Sequence, residues 1–218
     1  MKPAAAAPSG HVRTRLILAR HGQTEYNREA RLQGQIDIPL NDTGRRQAAV
    51  LAATVAENPP DMIVSSPLSR AYDTARIVGE ASGLEVRTDE AFLERGFGQW
   101  EGLKGEEIRR HWPQQHADWR AHRAVHGLDV EDRPAVADRV ASACHQLIAE
   151  NTGRTVMVVA HGAAITLGIT AMLGLDTSGF RGISGLENCH RSVIEPLAAD
   201  TSGELMRLVS HNLPPDFI

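Results

Sequence analysis

The sequence is poor in cysteine and in long apolar runs, and each shortage excludes a class of protein. Its two cysteines, Cys144 and Cys189, lie far apart and form no C-x-x-C motif, so a disulfide-stapled secreted module is excluded. No apolar run approaches the roughly 20 residues that a membrane-spanning helix needs. Residues 1–13 are rich in alanine and proline but have no apolar signal-peptide core. We therefore expect a disordered tail on a cytoplasmic protein.

An excess of positive charge is also missing. The chain has 23 Lys and Arg against 27 Asp and Glu, a formal net charge of −4. This balance provides no global field to hold nucleic acid or anionic lipid. Lysine is rare, since Lys2 and Lys104 are the only two among the basic residues. The others are arginines, whose forked guanidinium groups suit phosphate, so the bias is a weak hint of a phosphate ligand.

Short apolar strands alternate with helical segments along the 218 residues. This alternation predicts an α/β fold with a mostly parallel sheet covered by helices on both faces. The predicted strands are 14–19, 62–64, 84–88, 155–160, 192–195 and 205–210. The predicted helices are 43–57 with Thr43 as its cap, 67–82 with Ser66 as its cap, 106–122, 134–151 and 163–173. We expect a single domain over 14–218, with 104–133 as a cap-like insertion.

Two histidines occupy the same local context. His21 and His161 each follow an apolar strand and precede a glycine, Gly22 and Gly162 respectively. Ligands of open α/β sheets bind beyond the carboxyl ends of the strands. If the two strands are neighbours, both imidazoles therefore face one crevice. A single histidine here is more simply a hydrogen-bonded residue at a strand end, but two matched ones favour a functional site.

Arginine accompanies both histidines. Arg20 adjoins His21, and Arg70 follows the second predicted strand, in the first turn of a helix. A cation is unfavourable at a helix N-terminus unless an anion is bound nearby. Two arginines, two histidines and the start of the helix after Gly162 together describe a site for a dianion, most simply a phosphate.

Metal and serine chemistry are the rival interpretations. The sequence has no H-E-x-x-H motif and no cysteine near His21 or His161, which disfavours zinc. Four further histidines lie on a polar stretch that is typical of a solvated face: His111, His116, His122 and His126. There is no G-x-S-x-G nucleophile motif either. Histidine itself can attack phosphorus, provided that its ring is neutral and oriented by a hydrogen bond.

A proton donor for the leaving oxygen is also required. Glu94 stands in a glycine-rich loop beside the apolar residues Phe97 and Trp100, a setting that suits a general acid. From its position alone, Glu94 is equally well interpreted as a surface carboxylate.

Five separated blocks of sequence resemble the histidine phosphatase superfamily, the phosphoglycerate mutase-like group. They are R-H-G-Q-T-E-Y-N at 20–27, R-L-Q-G at 31–34 with P-L-N at 39–41, S-S-P-L-S-R-A at 65–71, Glu94 with Gly98 and Trp100, and V-A-H-G at 159–162. The blocks occur in order and in the predicted strand or helix contexts, which makes the resemblance specific over residues 16–173.

The resemblance implies a three-layer α/β/α sandwich that uses no metal or other cofactor. It implies that His21 becomes a phosphohistidine and that Glu94 acts as proton donor and then as base. The phosphoryl group would be held by Arg20, Arg70, His161 and Asn27, and the pocket would be lined by Gln33, Gly34, Gly162 and Ala163. The implied partner is a small phosphorylated metabolite, with neither nucleic acid nor membrane, and the two late strands offer an edge for a homodimer.

The family contains phosphatases and mutases, and both remain open at this point. The chain length and the G-F-G-Q-W-E-G segment at 96–102 resemble the small broad-specificity phosphatases. Within these, the motifs resemble actinobacterial phosphatases that act on glucosyl-3-phosphoglycerate and related monoesters. The Glu94-Arg95 pair, in contrast, resembles mutases. A phosphate-binding module without turnover is a third alternative, which the filled set of catalytic positions disfavours.

Overall fold

A single sheet of six strands organises the molecule. The computed structural model describes residues 14–121, 123–197 and 205–216, so the tail predicted for 1–13 lies outside the described residues. The strand order is β3-β2-β4-β1-β5-β6. The strands are β1 (Arg15–Arg20), β2 (Met62–Ser65), β3 (Val86–Thr88), β4 (Thr155–Ala160), β5 (Arg191–Pro196) and β6 (Met206–Leu213). The first four strands pair in parallel, whereas β5 and β6 join with antiparallel pairing.

Helices cover both faces of this sheet. They are α1 (Glu25–Arg28), α2 (Asp42–Glu57), α3 (Ser69–Ser82), α4 (Gly105–His111), α5 (Pro113–Arg120), α6 (Arg133–Glu150) and α7 (Gly162–Met172). Helices α2 and α3 pack on one face, and α6 and α7 pack on the other. The expected α/β/α sandwich is therefore confirmed.

Alternation along the central strands creates the two cores. In β1, Leu16 and Leu18 face α6 and α7, whereas Ala19 faces α2 and α3. Strand β4 divides in the same way, with Val158 on the first face and Val159 on the second. Because successive side chains of a strand point to opposite faces, a continuous apolar strand serves both cores.

A third apolar cluster joins the predicted cap-like segment, 104–133, to the loop directly before it. Trp100 and Ile108, both fully buried, pack there with Phe97, Val125, Leu128 and Val130. The single helix predicted over 106–122 was wrong, because α4 and α5 are separate helices. The helical backbone is interrupted at Trp112 (φ −135°, ψ 66°), directly before Pro113. Proline disfavours helical backbone at the residue before it and cannot donate a backbone hydrogen bond.

Two predicted helix caps were also wrong. Asn41 caps α2, since its Oδ1 accepts a hydrogen bond from Gly44 N at 2.8 Å, and Thr43 lies inside the helix. Helix α3 begins at Ser69 with no side-chain cap, so Ser66 does not cap it. The first error arose because serine, threonine and asparagine are similar as caps, and local sequence does not decide which of them is used. The second arose because α3 begins two residues after Pro67, with Leu68 at its N-cap position. The predicted end of α3 at Gly83, where φ is +69°, was correct.

Replacement of Leu51 by Ala tests the packing of α2 against the sheet. Leu51 is fully buried, whereas its neighbour Val50 is 43% exposed. We expect Leu51→Ala to lower the free energy of unfolding by about 2–5 kcal/mol, since a buried leucine leaves a cavity. Val50→Ala is the matched control and should change it by less than about 0.5 kcal/mol. Urea titrations followed by circular dichroism measure both; equal losses would contradict the assigned faces.

Candidate active site

Strands β1 and β4 are neighbours and end at the same level. Arg20 is paired with Ala160 in the parallel register, so the residues that follow, His21 and His161, leave the sheet side by side. Their ring centroids are 5.2 Å apart. The expectation that both imidazoles share one crevice is confirmed.

The ring of His21 is oriented by its own turn. Its Nδ1 donates a hydrogen bond to the carbonyl of Gly22 at 2.7 Å, which places the proton of the neutral ring on Nδ1. The other nitrogen, Nε2, has no hydrogen-bond partner within the described part of the chain. Burial, together with Arg70 and Arg20, holds the pKa of His21 well below its ordinary value. At neutral pH the Nε2 lone pair is therefore free for attack.

His161 is neutral for the same reasons but is oriented differently. Arg70 Nε donates to His161 Nδ1 at 3.2 Å, so the ring proton lies on Nε2 and is donated to Ser66 Oγ at 2.8 Å. The residue is fully buried, and burial followed by Arg70 lowers its pKa. Ser66, predicted as a helix cap, is instead a hydrogen-bond partner in the site. Only the packing of β2 beside β4 reveals this role.

Arg70 connects the histidine pair to the loop after β1. Its side chain is fully buried, and its two terminal nitrogens donate to the carbonyls of Ile36 and Gly34, each at 2.8 Å. Gly34 has a φ of +53°, and a Cβ there would lie 1.9 Å from Glu101 Oε1. Glycine is thus required at position 34 for both conformation and space.

Arg20 carries a donor without a partner. Its terminal nitrogen donates to the carbonyl of Leu186 at 2.6 Å. Its Nε is buried and has no hydrogen-bond partner among the described residues. Burial lowers the pKa of Arg20, but the guanidinium remains charged. A buried N–H next to Gly162 is a ready donor for an anion bound between β1 and α7.

The carboxylate of Glu94 lies at the N-terminus of α7. Oε1 accepts from Ala164 N and Arg95 N, each at 2.9 Å, and Oε2 accepts from Ala163 N at 3.3 Å. The carboxylate also acts against the burial effect on the pKa of both Arg20 and Arg70. Glu94 therefore belongs to the same charged group as the arginines.

A polar cluster supports the remaining predicted residues. Asn27 Oδ1 accepts hydrogen bonds from Thr24 N and Asn188 Nδ2, and the backbone N–H of Asn27 donates to Thr24 Oγ1. Thr24 Oγ1 also donates to Gln33 Oε1 at 2.7 Å. The side-chain nitrogen of Asn27, Nδ2, has no hydrogen-bond partner in the ranges that the structure describes, and it can donate to a ligand. Sequence reasoning missed Thr24 and Asn188, whose neighbours are decided by the fold.

Neither a metal cluster nor a membrane-spanning helix accompanies this site in the described ranges. The described residues contain no group of three or more His, Cys, Asp and Glu side chains able to hold a metal ion. In the polar stretch, His111 contacts Trp112 and His116 contacts Trp119, while His122 lies outside the described residues. No helix in the part of the chain that the structure describes is long and apolar enough to cross a bilayer.

The fold is an α/β/α sandwich, and its paired histidines lie with arginines at the carboxyl ends of two parallel strands. The family model of the histidine phosphatase superfamily (branch 1) matches residues 16–209, so the chain belongs to that superfamily. It is 40% identical over 183 residues to the glucosyl-3-phosphoglycerate phosphatase of Mycolicibacterium vanbaalenii, covering 80% of each chain. It is 34% identical over 182 residues to phosphoserine phosphatase 1 of Hydrogenobacter thermophilus, covering 83% of this chain and 85% of the relative.

Solved structures agree with this assignment. The mycobacterial glucosyl-3-phosphoglycerate phosphatase in complex with inorganic phosphate superposes with a TM-score of 0.82 at 34% identity, covering 94% of this chain and 99% of that one. The protein is therefore a phosphatase of the histidine phosphatase superfamily.

The lowered pKa values of His21 and His161 predict acid-sensitive folding. The unfolded chain binds protons at these residues near the ordinary histidine pKa of 6.5, whereas the native state does not. Stability is therefore fully present above that pH and lost as the pH falls below it, by up to about 1.4 kcal/mol per pH unit for each histidine. Urea titrations in phosphate-free buffer between about pH 7.5 and pH 5 measure this loss. His21→Gln should reduce the slope, whereas exposed His111→Gln should not; identical slopes in all three proteins would contradict the interpretation.

Proposed function

We propose that His21 is the nucleophile and Glu94 the general acid and base of a two-step phosphomonoester hydrolysis. The observation that carries this proposal is the hydrogen bond from His21 Nδ1 to Gly22, which leaves Nε2 unprotonated near the buried Arg70 and the partly buried Arg20. Family membership supports it, because the phosphohistidine mechanism is typical of the superfamily.

In the first step, Nε2 of His21 forms a bond to phosphorus while the bond from phosphorus to the leaving oxygen breaks. Glu94 transfers its proton to that oxygen, so the alcohol leaves as a neutral molecule. In the second step, water attacks phosphorus, the bond from Nε2 to phosphorus breaks, and Glu94 accepts the proton of the water. Phosphate is released and both residues return to their starting states.

The phosphoryl oxygens need donors that do not move during these steps. Arg20 can donate from its unpartnered Nε, and Asn27 can donate from its side-chain Nδ2. Arg70 and His161 complete the group, with Gln33, Gly34, Gly162 and Ala163 around it. Fixed donors in a water-poor site stabilise the charge that develops on the equatorial oxygens.

We further propose that the substrate carries a second anionic group on its alcohol portion. Five arginines and Trp119 line a cavity of about 330 Å³, and one of these arginines is Arg95, the residue after Glu94. The others are Arg120, Arg123, Arg133 and Arg181. Burial and the neighbouring Arg133 lower the pKa of Arg95 to about 10, so it keeps its charge at neutral pH. Concentrated positive charge favours an anion, such as the carboxylate of a sugar phosphoglycerate.

The named substrates of the relatives are compatible with this class. Glucosyl-3-phosphoglycerate phosphatase and phosphoserine phosphatase are both named for phosphomonoesters whose alcohol portion bears a carboxylate. Three of the five arginines, Arg120, Arg123 and Arg133, come from the segment 104–133, which supports its proposed role as a cap that selects the alcohol. The homodimer stays a prediction.

Replacement of His21 by Ala tests the nucleophile. We expect kcat to fall by at least about 10⁴-fold, since loss of a nucleophile removes the covalent route. Phosphate release from 3-phosphoglycerate measures the loss. An acid-labile phosphoenzyme, trapped by quenching, should form in wild type but not in His21→Ala. His111→Ala is the matched control. A fully active His21→Ala protein would reject the nucleophile, and conversion of 3-phosphoglycerate to 2-phosphoglycerate without phosphate release would reveal a mutase.

The arginine-lined cavity predicts that loss of one of its arginines weakens the reaction of a substrate with a second anionic group more than that of a substrate without one. Arg120→Gln and Arg181→Gln should each raise KM for 3-phosphoglycerate about three- to tenfold, because a charged hydrogen bond at a partly exposed site is lost. The kcat/KM for p-nitrophenyl phosphate, which has no second anion, should change less than about twofold. Arg87→Gln, exposed on β3 and outside the cavity, is the control. Equal effects on both substrates would contradict a subsite for the second anion.

A further inference from the structure

Arg139 uses its whole guanidinium on Glu131 and on the segment that contains Glu94. Its Nε donates to Glu131 Oε1 at 3.0 Å. One terminal nitrogen donates to the carbonyls of Ala91 and Leu93, each at 2.8 Å. The other donates to the carbonyl of Glu94 and to Glu131 Oε2, each at 3.1 Å. All five N–H donors of the arginine are thereby used.

Glu131 also binds this segment, and we call Arg139 and Glu131 together the clamp on residues 91–96. Its Oε2 also accepts from Gly96 N at 2.9 Å, and its carbonyl accepts from Arg95 Nε at 2.7 Å. Burial acts to raise the pKa of Glu131, but the hydrogen bonds from Arg139 and Gly96 offset this effect and the pKa lies below its ordinary value. The carboxylate is therefore ionised and paired at neutral pH.

The clamp acts on both sides of Glu94. Arg139 holds the carbonyls at 91, 93 and 94, and Glu131 holds the N–H at 96. The Glu94 carboxylate itself is bound at α7 through Ala163 and Ala164. Arg139 lies on α6, which packs beside α7 on the same face of the sheet. The backbone and the carboxylate of Glu94 are thus both fixed to one pair of packed helices.

We propose that Arg139, paired with Glu131, is a positioning residue that holds the Glu94 carboxyl where it meets the leaving oxygen of the substrate. This inference rests on the proposed role of Glu94 as general acid. The hydrogen bonds of Arg139 and Glu131 go to each other and to residues 91–96, and none goes to Arg20, His21, Arg70 or His161. Arg139 acts on His161 only through its charge, which a lysine retains. We therefore expect the pair to affect proton transfer more strongly than phosphate binding.

Leaving groups of different basicity separate positioning from simple destabilisation. An alkoxide needs a proton as it leaves, whereas p-nitrophenolate leaves readily without one. Glu94 also serves as base in the second step, which is common to both substrates, so the comparison uses kcat/KM, which covers the steps up to departure of the leaving group. A misplaced Glu94 therefore lowers kcat/KM far more for an alkyl phosphate than for p-nitrophenyl phosphate. A general loss of folded protein lowers both rates equally.

The experiment compares kcat/KM for glycerol 3-phosphate and p-nitrophenyl phosphate in four variants and wild type. Arg139→Lys removes the fork but keeps the charge, and Glu131→Gln keeps the shape but removes the charge. Glu94→Gln is the benchmark for complete loss of the acid. Arg76→Lys is the matched control, since Arg76 pairs with Glu80 on the exposed face of α3.

We expect Arg139→Lys and Glu131→Gln to lower kcat/KM for glycerol 3-phosphate about tenfold or more, a part of the roughly 10²- to 10⁴-fold that a general acid contributes. The kcat/KM for p-nitrophenyl phosphate should fall less than about threefold, and inhibition by inorganic phosphate should stay unchanged. Equal losses on both substrates in both variants, or no loss on either, would overturn the clamp. Failure of Glu94→Gln to show the leaving-group dependence would instead reject the proposed function.

Discussion

The parallel pairing of β1 with β4 is the constraint on which the rest of the site depends. Because Arg20 is in register with Ala160, the two strands end together and the two turns carry His21 and His161 out at a centroid distance of 5.2 Å. A register shift of one residue would point a histidine to the opposite face of the sheet. The buried apolar residues on both faces of β1 and β4 oppose such a shift, so the hydrophobic core also fixes the geometry of the site.

Desolvated positive charge is the second property of this site. Burial lowers the pKa of both Arg20 and Arg70, and Glu94 is the carboxylate that acts on both of them, with Glu187 acting on Arg20 and with Asp37 and Glu101 acting on Arg70. Burial also keeps both histidines neutral, and a phosphate dianion bound beside the guanidinium groups would add an opposite charge to a site that water solvates poorly. The same arrangement that disfavours protonated histidine therefore favours the substrate. Pre-positioned donors then act on the transition state without reorganisation.

The glutamate at position 94 illustrates how a local environment assigns a role. Its sequence context placed it beside Phe97 and Trp100, but these side chains pack in the third apolar cluster with α4 and the following loop. Its carboxylate instead accepts backbone hydrogen bonds at the start of α7. Helix N-termini attract anions, so α7 binds Glu94 with the same N–H groups that could otherwise contact phosphate. Arg139 and Glu131 hold the backbone of this segment from the next helix.

The sequence by itself predicted the α/β fold, most of the strands and helices, and the ends of β1 and β4 as the place where Arg20, His21, Arg70 and His161 meet, whereas Glu94 was assigned only through the family resemblance. These features depend on periodicity and on short motifs, which are local. Tertiary structure decided the helix break at Trp112, the use of Ser66 as a partner of His161, and the clamp of Arg139 and Glu131 around Glu94. The last two join side chains or carbonyls that are distant along the chain. Their contacts arise only when β2 packs beside β4 and α6 beside α7, because hydrogen bonds between distant segments leave no periodic pattern in the sequence.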